Sequence, residues 1–330
     1  MSDNPRNINI QRCFNNYLYL PSEVRIMIID EMQADDRCRF TRCSKLCTRE
    51  AKTSKNYIYG LNFTFYERMV YITVSHDKNK GFIWDIRKIG EVKYIICEKI
   101  RGHEMWRDEL DTSIDLHLYA AEKARNLLQV YQNRKRVSFN GSAFFGRLKD
   151  YDFGVHSFNS LEELDLAGDM DVRGYLSKIR GPLKNLKVRQ TMLDMDNYAD
   201  CEQVYQVKRS LHMSNLKLNN EQFLRLSASH VKIHIGYLTV NDIFRFIKSW
   251  QNGSIEKKMK NYEWCKVSSS GYDLARLFRR LGMGFEDSQS EHLELEIKHN
   301  LEAGRTGTLR YRRQDLWKMT FIVKNGDGQQ

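Results

Sequence analysis

The sequence has no long uncharged apolar run. Nowhere among its 330 residues do about 18 uncharged apolar residues follow one another, as a membrane-spanning helix would require. The N-terminal segment, MSDNPRNINIQR, has no apolar stretch behind its charges and so does not resemble a secretory signal. These absences argue against membrane insertion and secretion, and they predict a cytoplasmic or nuclear protein.

Cysteine is sparse, and its pattern argues against disulfides. The seven cysteines, an odd number, are scattered along the chain and suit a reducing compartment. The closest group, Cys38, Cys43 and Cys47, is spaced unlike the paired Cys-x-x-Cys ligands of zinc. We interpret these three residues as small apolar fillers between helices. The sequence therefore predicts no bound metal and no cofactor.

The motifs of common enzyme classes are also missing. There is no Gly-x-Ser-x-Gly elbow, no Gly-x-x-x-x-Gly-Lys phosphate loop and no His-Glu-x-x-His pair. His230 and His234 lie two strand steps apart, but they alternate with apolar residues as solvent-facing residues of a strand do. We predict a non-catalytic protein without catalytic residues.

Positive charge exceeds negative charge by 53 residues to 42, giving a net charge of +11. Such an excess can attract nucleic acid or acidic protein surfaces. The basic residues are dispersed, however, and a nucleic-acid binder would need its clusters to converge on one surface. We predict only weak, salt-sensitive association with nucleic acid. The main clusters lie near Arg134, Lys257, Arg279 and Arg312.

The most informative stretch runs from Leu20 to Cys47. Pro21 suits the start of a helix, because its missing N–H would be unpaired there anyway. The residues from Val24 to Met32 are mostly apolar and surround the helix, which predicts burial on more than one side. The next segment, with Phe40 and Cys43, can cover only one face. A partner protein is expected to cover the rest.

This stretch resembles an F-box, a small helical module. The matching residues are Leu20-Pro21, Glu23-Val24, Ile28-Ile29, Met32, Asp36-Arg37, Phe40 and Cys43-Ser44-Lys45. In that family the module docks on the Skp adaptor of a cullin-type ubiquitin ligase, and the following domain selects a protein substrate. The resemblance implies an adaptor-binding surface formed by Leu20, Pro21, Val24, Ile28, Ile29, Met32, Phe40 and Cys43.

After residue 55 the apolar residues alternate at period two, which predicts an antiparallel β unit. A helix with one apolar face and a further strand should follow it. The predicted elements are strands over 58–65, 69–74, 82–86 and 92–97, a helix over 118–132 and a strand over 136–139.

From Leu161 onward a Leu-x-x-Leu-x-Leu pattern recurs, as is typical of leucine-rich repeats, whose units stack because none can bury its apolar face alone. Later candidate strands follow at uneven distances, so an ordinary α/β domain is the alternative. The pattern occupies Leu161, Leu164 and Leu166, then Leu183, Leu186 and Val188, then Met213, Leu216 and Leu218.

A well-formed helix is predicted after Thr239. Thr239 and Asp242 predict its N-terminal cap, and Gly253 suits the left-handed residue past its end. Its apolar face is predicted to contain Val240, Ile243, Phe244, Ile247 and Trp250. The run 238–254, LTVNDIFRFIKSWQNGS, resembles a helix of the F-box-associated domain of nematode F-box proteins. Segments 215–235 and 309–323 resemble strands of the same domain.

The predicted fold is α+β, with a short helical F-box module, a β-rich linker and an irregular leucine-rich-repeat-like α/β domain. The boundaries are a polar lead-in at 1–17, the module at 18–55, the linker at 56–110, the substrate domain at 111–325 and a tail at 326–330. The resemblances imply the non-catalytic substrate-recognition subunit of a Skp/cullin/F-box ligase, which would act by tethering its substrate. The main alternative is a leucine-rich module that acts outside a ligase.

The sequence also predicts a substrate surface. In a leucine-rich strand the residue between two inward apolar residues points to the opposite face, which solenoids commonly use for binding. We predict that an acidic substrate segment crosses Lys187 and Lys217, with Lys232 and His234 beside it. The full predicted row is Asp165, Lys187, Lys217 and His234, with Glu294 beyond.

Overall fold

The protein is a mixed α/β fold. The computed structural model describes residues 16–32, 34–41, 43–53, 58–75, 81–89, 93–100, 103–111, 115–141, 148, 153, 158, 160–189, 198–214, 216, 218–234, 239–255, 260–265, 271–282, 292–312 and 318–324. They belong to two compact units. The first lies within Met1–Thr64, Arg68–Arg136 and Tyr151–Ser160, and the second within Phe65–Glu67, Val137–Asp150 and Leu161–Gln330. Within the described ranges, no helix has the length and apolar character needed to cross a membrane.

Three short helices open the first unit: α1 (Ser22–Glu31), α2 (Ala34–Thr41) and α3 (Lys45–Thr53). As predicted, α1 begins directly after Pro21. Both α1 and α2 pack against α3. The buried Arg37 side chain donates from Nη2 to the carbonyl oxygen of Ile29 at 2.6 Å, which also accepts the Met32 N–H at 3.2 Å, so Arg37 ties α2 to the end of α1.

The predicted β unit follows these helices. It contains β1 (Ile58–Tyr66), β2 (Met69–Ser75), β3 (Gly81–Ile89), β4 (Lys93–Ile100) and β5 (His103–Asp111), in that order across the sheet. The pairs β2–β3 and β3–β4 are antiparallel, which confirms the prediction for them, and β4–β5 is antiparallel as well. The sequence did not predict β5, because HEMWRDELD lacks a clear apolar alternation.

The helix predicted over 118–132 is α4 (Leu116–Val130). It begins two residues earlier because the Asp115 side chain caps it, accepting the backbone N–H groups of His117 and Leu118 at 2.9 and 2.7 Å. The helix belongs to the first unit and packs against α3. The boundary expected near residue 111 therefore falls inside this unit.

The second unit alternates short strands with short helices. Its strands follow the order β12-β13-β14-β11-β10-β9-β8-β7. The pairs from β7 to β11 are parallel, and those joining β11, β14, β13 and β12 are antiparallel.

The strands of the second unit are β7 (Glu163–Ala167), β8 (Asn185–Arg189), β9 (Ser210–Ser214), β10 (His230–His234), β11 (Asn261–Cys265), β12 (His292–Lys298), β13 (Thr306–Arg312) and β14 (Lys318–Lys324). The helices are α5 (Val172–Ser177), α6 (Glu202–Tyr205), α7 (Asn220–Leu224), α8 (Val240–Gln251) and α9 (Gly271–Arg280). Of the strands in the described ranges, the one left to name is β6 (Arg134–Gly141), and the division between the two units falls within it.

The register predicted for the third leucine-rich unit is wrong. Leu211 and Met213, not Leu216 and Leu218, continue the ladder, and Leu211 lies opposite Leu186 of β8. The sequence offers two apolar-x-apolar pairs within eight residues, and pairing with β8 selects the first. Leu216 and Leu218 are buried after the strand has ended.

The cap of α8 is confirmed. The Thr239 side chain accepts the Asp242 N–H at 3.3 Å, the Asp242 carboxylate accepts the Thr239 N–H at 3.0 Å, and Gly253 has φ +72°. Two residues of the predicted face, Val240 and Phe244, are only half-buried, whereas Phe246, which was not predicted, is buried. Phe246 lies one helical turn from Ile243 and packs its ring against Phe223 and Tyr262, while Phe244 lies about 100° away around the helix. The buried face consists of Ile243, Phe246, Ile247 and Trp250.

Candidate protein-interaction surfaces

Helix α1 carries an exposed apolar surface. Val24, Met27 and Ile28 share one face at the helical spacing of i, i+3 and i+4, and Met27 is 67% exposed. Leu18 and Tyr19, which precede the helix in the chain, are exposed as well. We call these five residues the α1 surface. Large apolar side chains grouped in this way are typical of a protein-interaction site.

The residues predicted to bind an adaptor divide between this surface and the interior. Ile29 is fully buried, so it packs inside the first unit and is not available to a partner. Met27 was not among the predicted contacts, although the apolar character all round the helix had pointed to it. Pro21, Val24, Ile28 and Cys43 are exposed, and Leu20, Met32 and Phe40 are half-buried.

A buried polar network supports the α1 surface from behind. Glu50 of α3 accepts hydrogen bonds from Arg25 Nε and from the Tyr17 hydroxyl, both at 2.7 Å. Burial, followed by the hydrogen bond to Glu50, raises the pKa of Tyr17 well above its ordinary value, so Tyr17 is a neutral donor. The Tyr17 ring also packs edge-on against Phe40, with centroids 5.2 Å apart. These contacts hold α1 in a fixed orientation on α3.

Cys43 and Cys47 occupy different surroundings. Cys43 is exposed, whereas Cys47 is buried and its thiol accepts a hydrogen bond from Ser44 Oγ at 3.1 Å. Burial raises the pKa of the Cys47 thiol. The side chain of Cys38 lies outside the described residues. Among the side chains that the structure describes, no three of His, Cys, Asp and Glu are grouped to hold a metal ion.

The second unit presents a polar row across eight strands. Each member lies between two apolar residues of its strand, and each member is half-buried or exposed. The opposite face carries α8, as shown by the ring contacts of Phe246 with Tyr262 and of Trp250 with Phe321. The members, in register, are Asp165, Lys187, His212, Lys232, Glu263, Thr320, Arg310 and Glu294, which we call the sheet row.

Several charges of the sheet row are already paired. Lys232 and Lys318 hold the Glu263 carboxylate from two sides, at 2.6 and 3.2 Å. Burial alone would raise the pKa of Glu263, but these two ammonium groups lower it below its ordinary value. Arg310 contacts Glu294 at 3.0 Å and lowers the pKa of that carboxyl.

Lys187 differs from its neighbours in the row. Asp165, directly opposite it in register, forms its ion pair with Arg189 at 3.3 Å instead. Among the described residues Lys187 has no carboxylate partner, so its ammonium group is an unpaired cation in the sheet row.

The four predicted substrate-binding residues are not all brought together. Lys187 and Lys232 lie in the sheet row, on either side of His212. His212 takes the position predicted for Lys217, because of the shifted register of β9, and Lys217 itself lies outside the described residues. The backbone of His234 is level with Ser214, two residues further along β10, and its side chain is outside the description.

One residue of the first basic cluster, Arg134, is not available to nucleic acid. Arg134 is buried, and its Nη1 donates to the carbonyl oxygens of Leu128, at 2.8 Å, and Tyr131. Burial lowers the pKa of Arg134 to about 10. This guanidinium therefore stabilises the end of α4 instead of facing a phosphate.

Comparison of the chain with protein-family models, with curated proteins and with solved structures finds no match. The inferences about function therefore depend on the α1 surface, on the sheet row and on the sequence resemblances.

Proposed function

We propose that this protein is a non-catalytic substrate-recognition subunit of a Skp/cullin/F-box-type ubiquitin ligase, of the nematode kind with an F-box-associated domain. The observation that carries the proposal is the α1 surface. Val24 and Ile28 match apolar positions of the F-box resemblance and are exposed, and Met27 lies between them. An adaptor that covers these side chains would remove apolar area from water, which favours association.

The second unit supports the other half of the proposal. The strands β7 to β10 are parallel, begin at residues 163, 185, 210 and 230, and are joined through short helices. This arrangement agrees with an irregular leucine-rich-like domain, and its sheet row offers a polar surface for a protein substrate. Binding adaptor and substrate at once would convert ubiquitin transfer into an effectively intramolecular encounter, with effective concentrations up to about millimolar.

Two alternatives remain distinct from this proposal. A leucine-rich module acting outside a ligase would leave the α1 surface without a Skp-type partner. A basic nucleic-acid binder is less well supported, because the guanidinium of Arg134 is buried.

The test is affinity purification of the full chain from cells, followed by mass spectrometry and by a direct binding assay with a purified Skp-type adaptor. We expect adaptor and cullin peptides, and we expect Ile28→Asp to abolish adaptor binding because it places a charge in the contact. Leu118→Asp is the matched control, since Leu118 is also exposed but lies on α4. Full-strength adaptor binding by Ile28→Asp would falsify the docking proposal.

A further inference from the structure

Helices α8 and α9 of the second unit enclose a cleft of about 260 Å³, close to the lower limit of ordinary ligand sites. One wall comes from the first turns of α8, and the other from the C-terminal half of α9. The lining residues are Val240, Asn241, Phe244, Arg276, Leu277 and Arg280. Neither the α1 surface nor the sheet row includes any of them.

Arg280 is held in a fixed position at this cleft. Its Cζ atom lies 3.8 Å from the centroid of the Phe244 ring, and its Nη1 donates to Asn241 Oδ1 at 3.1 Å. Stacking and this single hydrogen bond orient the guanidinium but leave other N–H donors unused. Arg276 lies one turn earlier on the same face of α9 and is exposed. Among the described residues, neither arginine forms an ion pair.

The two charged side chains that line the cleft, Arg276 and Arg280, are both positive. The described side chains of α8 and α9 include a single carboxylate, that of Asp242, which accepts the Thr239 backbone N–H and hydroxyl at 3.0 and 2.6 Å. Its negative charge is therefore directed to the cap of α8. The described cations of the two helices are Arg245, Lys248, Arg276, Arg279 and Arg280.

We infer that this cleft binds a phosphate monoester carried on an aromatic or other apolar group. The planar donor fork of arginine matches phosphate oxygens in pairs, and a monoester with a charge of about −1.5 to −2 balances the two guanidinium groups. Val240, Phe244 and Leu277 supply an apolar wall for the group that carries the phosphate. The ligand is either a small phosphorylated metabolite or a phosphorylated side chain of a protein, and both present the same chemistry.

Nucleic acid fits the cleft less well. Single-stranded nucleic acid needs a basic groove that follows several phosphates and aromatic faces on which bases stack. Here the cleft has one aromatic ring, that of Phe244, and Arg280 covers one of its faces. The lining residues span no more than two turns of each helix. The inference does not depend on the proposed ligase function.

The test is calorimetric titration of the full chain with phenyl phosphate, with inorganic phosphate and phenol as partial ligands. We expect saturable binding of phenyl phosphate at one site, tighter than that of inorganic phosphate, and no binding of phenol. Arg276→Gln and Arg280→Gln should each weaken phenyl phosphate binding about tenfold, as loss of a charge-assisted hydrogen bond predicts. Circular dichroism checks that each variant is folded, and Arg276 makes no described contact that folding needs.

Arg279→Gln is the matched control, because it removes the same charge from the same helix but does not line the cleft. Equal weakening by Arg279→Gln, or the absence of saturable binding, would overturn the inference. A phosphotyrosine peptide that binds more tightly than phenyl phosphate would identify a protein source, and equal binding would identify a small-molecule source; both results support the site. Displacement of phenyl phosphate by an RNA oligonucleotide at much lower concentration than by the peptide would overturn it.

Discussion

Arg25 and Glu50 join α1 to α3 through an ion pair in which a guanidinium nitrogen lies 2.7 Å from the carboxylate. The two side chains are only 15% and 8% exposed. Removing one partner of such a pair leaves a charge with little solvent around it. We expect Glu50→Ala to lower the free energy of unfolding by about 3 kcal/mol, measured by urea denaturation.

The matched control for Glu50→Ala is Asp200→Ala. Asp200 pairs with Arg173 at 2.9 Å, but both side chains are about half exposed. Water replaces the lost partner there, so we expect a change of less than about 1 kcal/mol. Equal losses in the two variants would show that the burial of the Arg25–Glu50 pair has no energetic consequence.

Adjacent residues of α1 provide a second comparison. Ile29 is fully buried and Ile28 is 37% exposed. Ile29→Ala should lower the free energy of unfolding by about 2 to 5 kcal/mol, because it leaves a cavity. Ile28→Ala should change it by less than about 1 kcal/mol. Both variants are measured by urea denaturation in the absence of any partner, and the opposite order would contradict the orientation of α1.

Much of the secondary structure could be predicted where one local signal was clear. The cap formed by Thr239 and Asp242, the left-handed Gly253 and the strands after residue 55 were recognisable because neighbouring residues determine them. The apolar residues all round α1 likewise predicted side chains that its neighbours leave uncovered, and Val24 and Ile28 are exposed.

Features that depend on distant residues could not be predicted in the same way. The choice between Leu211-x-Met213 and Leu216-x-Leu218 is made by pairing with β8, and this choice determines that His212, not Lys217, enters the sheet row. The α8–α9 cleft needs Phe244 and Arg280, which are 36 residues apart by their numbers, to meet. No local pattern in the sequence contains that contact.

Gly307 of β13 permits a close approach of aromatic rings. A Cβ atom at this residue would lie 2.2 Å from Phe321 Cζ and 3.0 Å from Trp250 Cη2. We expect Gly307→Ala to destabilise the protein by about 1 to 3 kcal/mol, because the packed rings must move. Gly181→Ala is the control, since its Cβ would meet nothing within 4 Å. Similar thermal unfolding of the two variants would contradict the packing at Gly307.

The unpaired ammonium group of Lys187 should attract acidic segments to the sheet row. We expect Lys187→Glu to weaken the binding of a fluorescent oligo-glutamate peptide and to reduce the dependence of that binding on salt, because salt screens attraction between charges. Fluorescence anisotropy measures both effects. Lys208→Glu makes the same charge change at an exposed residue before β9 and should leave binding nearly unchanged. Unchanged binding by Lys187→Glu would move the acidic-peptide site away from the row.

The pairing of Glu263 with Lys232 and Lys318 predicts a pH dependence of stability. These ammonium groups lower the pKa of Glu263 in the folded protein, whereas the unfolded chain has the ordinary value of about 4.3. The unfolded chain therefore binds the proton first as pH falls. Stabilisation by this charge is complete above the unfolded pKa and is lost as pH falls through the folded pKa. We expect the difference in free energy of unfolding between the native protein and Glu263→Gln to be constant near neutral pH and to shrink below about pH 4. Urea denaturation across this range measures it, and a difference that grows on acidification would contradict the ion pairs.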